Sequence, residues 1–111
     1  MATSLTRSPE YDLSESPYEL ESLAAIIRGC RLDICEAYHF AGPGAALEAV
    51  AMSSLVLARY VSDGSLTAPV AFDSLQHVSE NLGLTRRFGQ EAVQIAIAHG
   101  MRFYSQLTGA A

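Results

Sequence analysis

The stretch Ala45–Gly64, AALEAVAMSSLVLARYVSDG, decides how this chain folds. Up to Ser62 its only charged residues are Glu48 and Arg59. Leu47, Val50, Met52, Leu55, Val56, Tyr60 and Val61 project in several directions around a helical wheel. The pair Val56-Leu57 would suit a strand, but the alanine content and the length of the run favour a helix. The pattern predicts a helix over Ala45–Val61, with Gly64 as its C-terminal stop. A helix this apolar must be covered on most sides, so the rest of the chain has to supply the cover.

Working outward, Ser16-Pro17-Tyr18-Glu19 has the chemistry of a helix start. Ser16 can cap, Pro17 suits the first helical position and Glu19 completes a capping box. Leu20, Leu23, Ala24, Ile27, Cys30, Ile34 and Tyr38 then recur at 3/4 spacing and predict a helix to Tyr38. Arg31 falls inside that stripe and is expected to snorkel out of the core edge. His39-Phe40-Ala41-Gly42-Pro43-Gly44 reads as a turn. After Gly64 a short link leads to Pro69, which opens a third helix ending at Leu82-Gly83, with Phe72, Leu75, Val78 and Leu82 inward. A fourth helix is expected from Thr85 to Leu107. Its apolar arc, from Phe88 through Ile95, Ile97 and Met101 to Tyr104 and Leu107, covers well over half the circumference. Thr108–Ala111 reads as a frayed end.

The fold class is therefore all-α. Residues 1–15 form a polar, flexible tail, and residues 16–111 form a single four-helix domain. The 111 residues suit one domain. Half of them are hydrophobic and only 17% are charged, which is rich in apolar material for so small a protein. A four-helix monomer needs one apolar stripe per helix, and the surplus here points to self-association or a partner.

Composition also narrows the function. A net charge of −5 lacks the basic stripe that nucleic acid or an anionic membrane would need. The polar head has no signal-peptide core, and Glu48, Arg59 and His99 interrupt the apolar runs, so no membrane span is expected. The expected location is the cytoplasm. Cys30 and Cys35 on one helix would be roughly 8–9 Å apart, too far for an unstrained disulfide. They read as two buried thiols.

Several constellations fall short of a chemistry. Leu75–Ala98 has the outline of a helix-turn-helix, with Gly83 in the turn and Arg86, Arg87 and Gln90 opening the second helix. Gly89 stands where that motif wants a β-branched core residue, and the rest of the helix is too apolar for a phosphate-lined groove. His39, His77 and His99 have no ligand spacing with each other or with the cysteines, so no metal or other cofactor is expected. His39 and His77 read as exposed, and His99 as a core or interface residue. Ser53-Ser54 lies mid-helix with no strained elbow, and Gly42-Pro43-Gly44 lacks the lysine and the strand of a phosphate loop. No catalytic residue is assigned. A helical enzyme or ligand-binding subunit around His99 is the weakest alternative.

What remains is an interaction surface. The expected self-association or partner interface is Met52, Leu55, Val56, Tyr60, Ile97, Met101, Phe103 and Tyr104. Methionines adapt to partners, and aromatic residues anchor hot spots. Arg86, Arg87 and Arg102 would meet acidic groups at the rim. The whole-chain pattern is a short acidic chain, a polar head, a capped helix from Ser16 and very apolar helices over Ala45–Val61 and Thr85–Leu107. This resembles the small helical anti-activators of LuxR-type quorum-sensing transcription factors. The resemblance implies a homodimer that sequesters a transcription factor without catalysis, and it carries over no individual residue.

Overall fold

The computed structural model describes residues 17–108. The expected flexible tail and the Ser16 cap lie outside the described residues, as does the chain after Thr108. Five helices make up the described residues, with no strand among them: α1 (Pro17–Ala41), α2 (Pro43–Ser62), α3 (Ala68–Asn81), α4 (Leu84–Phe88) and α5 (Gln90–Thr108).

The joints between helices correct the expected boundaries. The turn expected over His39–Gly44 contracts to one residue. Gly42 takes φ 94°, a left-handed value that a side chain resists, and Pro43 starts α2 at once. Both flanking helices are longer than expected as a result. The stop at Asp63-Gly64 forms as read. Gly64 has φ 84°, and the Ser65 amide donates to Asp63 Oδ1 at 2.9 Å. Two hydrogen bonds from Ser65 hold the Asp63 carboxyl below the usual carboxylate range. Thr67 caps α3 by accepting from the Val70 amide at 3.4 Å. Gly83, at φ 79°, ends α3. The continuous fourth helix expected from Thr85 to Leu107 does not form. Gly89, at φ 96°, breaks it into the five-residue α4 and the long α5.

α2 is the centre of the fold. It packs against α1 on one side and α5 on the other, while α1 and α5 do not meet. α3 lies across all three, and α4 joins α3 to α5. Ile34, Leu57, Leu75, Leu84 and Ile97 are fully buried where these helices converge. Each such side chain contributes about 1.5–3 kcal/mol on leaving water. Among the described residues α2 is the one helix long and apolar enough to cross a membrane, by length and composition alone. Here its apolarity serves a central position among other helices.

α2 and α5 approach each other closely at Gly100. Gly100 is buried in mid-helix, and a Cβ placed there would run into the Ala51 carbonyl oxygen. It would also lie 2.7 Å from Ser54 Cβ and 2.9 Å from the Leu55 nitrogen. One turn earlier, the buried Ser54 hydroxyl donates to the Ile97 carbonyl oxygen across the same junction. A glycine inside a helix costs roughly 1 kcal/mol against alanine, so a packing contact must offset it.

Two glycine substitutions should therefore have opposite signs. Gly100→Ala forces the helices apart and should lower stability by about 3 kcal/mol, at the upper end of overpacking costs. Gly29, in α1, has open space where a Cβ would go. Gly29→Ala should raise stability by about 0.5–1 kcal/mol. Urea denaturation measures both, and a gain at both positions would refute the close approach.

Candidate interaction surface

The row α1–α2–α5, crossed by α3 on one face, makes a flat molecule of 53 × 34 × 19 Å. Helices pack about 8–10 Å apart, so 19 Å is two layers. The radius of gyration is 16.5 Å; a compact domain of 100 residues would have about 13 Å. A spread shape leaves much of its apolar material at the surface. Among the described residues no helix covers the face of the row opposite α3.

α2 presents Met52 and Val56 on that face, 61% and 48% exposed. They are four residues apart and so form one short ridge. Leu55 and Tyr60 flank it, half-buried, and the Arg59 guanidinium lies 5.9 Å from the Tyr60 ring centroid. Between α1 and α2 runs a groove of about 500 Å³, lined by Ile26, Gly29, Cys30 and Asp33 on one wall and by Met52, Leu55 and Val56 on the other. Cys30 sits at its floor. Burial pushes its thiol pKa up, partly opposed by a hydrogen bond with Ser53. Cys35 is exposed, which corrects the expectation of two buried thiols.

α5 contributes a second ridge. Ile95, His99, Phe103 and Leu107 follow at four-residue steps and are all exposed. The His99 and Phe103 rings are parallel, with centroids 6.5 Å apart. His99 is thus a surface residue; His39 and His77 are also exposed, as expected. On a helical wheel Phe103 lies about 60° round from Gly100, on the side away from Ile97. It therefore borders the α2 junction on the side away from the core.

Seven of the eight expected interface residues keep exposed or half-buried surface: Met52, Leu55, Val56, Tyr60, Met101, Phe103 and Tyr104. Ile97 does not. It is fully buried, because it points from α5 into the core beside Gly100. The broad apolar arc of the fourth helix had merged inward and outward positions. Arg86, Arg87 and Arg102 are exposed, but the first two stand on α4 and the third on α5. Leu32 and Phe40, 62% and 79% exposed, were missed. Leu32 lies about 160° round the helix from Ile34; an apolar residue so far off the core stripe is the signal that marks it.

The helix-turn-helix outline loses its second helix. Arg86 and Arg87 end α4, and Gln90 begins α5 beyond the Gly89 break. Among the described residues no three His, Cys, Asp or Glu side chains stand close enough to hold a metal ion. No family model, curated protein or solved structure matches the chain.

The Cys30 thiol gives a signature of the groove in solution. Its folded pKa is raised, so the folded state holds the proton more tightly than the unfolded chain does. Its contribution to stability is full below the unfolded thiol pKa of about 8.5 and is lost as pH rises above it. Stability measured by denaturation should fall more steeply above about pH 8.5 in the natural chain than in Cys30→Ala. Parallel profiles would show that the groove floor is not desolvated.

Proposed function

We propose that this chain is a non-enzymatic interaction protein that forms a homodimer and inhibits a regulatory protein by covering one of its working surfaces. The observation that carries the reading is the uncovered face of the α1–α2–α5 row, with Met52 and Val56 at its centre. Isolated exposed apolar residues are ordinary on any protein. A ridge on a flat face, with a groove beside it and a second ridge on α5, is what a docking surface looks like. Its dimensions of 53 × 34 Å have room for the roughly 800 Å² that each partner gives up in a stable complex.

The nature of the inhibited partner rests on likeness. Short length, acidic charge and very apolar helices resemble the anti-activators of LuxR-type transcription factors. In this reading the chain works in the cytoplasm, where its two free thiols suit a reducing environment. Arg102, on α5, meets acidic groups at the rim of the contact, whereas Arg86 and Arg87, expected there, stand on α4 with α3 on the other face of the row. DNA binding through residues 75–98 is less favoured, because Gly89 divides the helix that would enter the groove.

Light scattering at micromolar concentration should give the mass of a dimer. Met52→Asp or Val56→Asp places a carboxylate in the contact and should shift the mass to a monomer, with the helical circular dichroism unchanged. A monomeric natural chain would contradict the reading. So would a dimer indifferent to both substitutions.

A further inference from the structure

The open face of the row has a direction, because its charges stand at opposite ends of one stripe. Along α2, Glu48, Met52, Val56 and Arg59 follow at steps of four, four and three residues. On a helical wheel they fall within about 80° of arc, and all four are exposed. The stripe therefore runs acid, apolar, apolar, base. Among the described residues Glu48 has no hydrogen-bond or ion-pair partner. Arg59 lies over the Tyr60 ring and near Asp63, whose carboxyl it helps to hold down. A guanidinium carries five N–H donors and can take a further carboxylate.

Such a stripe complements itself when it is turned end for end. The midpoint between Glu48 and Arg59 and the midpoint between Met52 and Val56 differ by half a residue, about 0.8 Å of helix. One two-fold axis can therefore set Glu48 against Arg59 of the second copy and Met52 against Val56, and then the same pairs in reverse. With the two helices parallel, Glu48 would meet Glu48 and Arg59 would meet Arg59, and like charges would repel at both ends.

The ridge on α5 obeys the same axis. Ile95, His99, Phe103 and Leu107 are evenly spaced, so the ridge is centred on position 101. Gly100, next to that centre, lies against Ala51, Ser54 and Leu55. The centre of the α5 ridge thus stands at nearly the same height as the centre of the α2 stripe. A two-fold axis at that height lays α5 on α5, with His99 beside Phe103 of the second copy and Ile95 beside Leu107.

We infer that the two copies pack antiparallel, α2 on α2 and α5 on α5, about a two-fold axis between Met52 and Val56 that pairs Glu48 of each copy with Arg59 of the other. This orientation rests on the homodimer proposed above. The charge pairs set the direction and register of the contact, while the apolar ridges supply its burial.

Charge reversal tests the orientation, with light scattering over a dilution series as the readout. Glu48→Arg sets arginine against arginine at both ends of the α2 contact, and Arg59→Glu sets glutamate against glutamate. Each variant should raise the dimer dissociation constant about tenfold at low salt, and less at high salt. An equimolar mixture of the two variants should recover the natural constant, because each copy then meets its complement. The double variant Glu48→Arg with Arg59→Glu should recover it alone, and helical circular dichroism should be unchanged throughout. In a parallel packing like charges face each other before and after either reversal. An unchanged constant in both single variants would therefore overturn the orientation and leave the homodimer standing. A loss that neither the mixture nor the double variant repairs would overturn it too. A natural chain that stays monomeric would instead remove the homodimer itself, and the orientation with it.

Discussion

The fold depends on how closely α5 can approach α2. Gly100 has no side chain, and the space it leaves is filled by the backbone from Ala51 to Leu55. Ser54 turns the same contact into a polar lock by donating its buried hydroxyl to the Ile97 carbonyl. Close approach lets Ile97 and Val93 reach a core shared with Leu57 and Leu75. It also fixes α5 beside α2 rather than across it, and that produces a row of helices instead of a bundle.

A row has two faces, and among the described residues α3 with α4 covers one of them. The open face is thus a consequence of the topology as much as of the apolar composition. Met52 and Val56 are exposed because the neighbours of α2 stand to either side of it and on its opposite face. The two ends of the physical argument meet here. The most apolar helix of the chain is also the central one, and its remaining arc is the surface that a second molecule can cover. The one-residue turn at Gly42 helps, because it lays α1 directly against α2 and forms the groove floored by Cys30.

Much of this was legible in the sequence. The helical class, the stops at Gly64 and Gly83, the inward Leu75 and Val78 and the outward Met52, Val56 and Phe103 all follow from periodicity and turn chemistry. Three features did not. Gly89 lies among polar neighbours, but the four-residue spacing of Leu84, Phe88 and Ala92 continues across it, so its break was masked by the period around it. Gly100 carries no signal of its own in the sequence, because its role depends on a partner backbone that no local pattern announces. Ile97 was assigned outward because an apolar arc this wide does not say which of its edges faces the core. The direction of α2 from α5 decides that, and it is a tertiary fact.

The central claim is that the open face of the row, around Met52 and Val56, receives a second copy of the chain. The most direct measurement is isotope-filtered nuclear Overhauser spectroscopy on an equimolar mixture of labelled and unlabelled protein. Contacts across the interface should appear from the Met52 and Val56 methyl groups to protons of the other molecule. Intermolecular contacts confined to other surfaces, or none at concentrations where a dimer is present, would contradict the account.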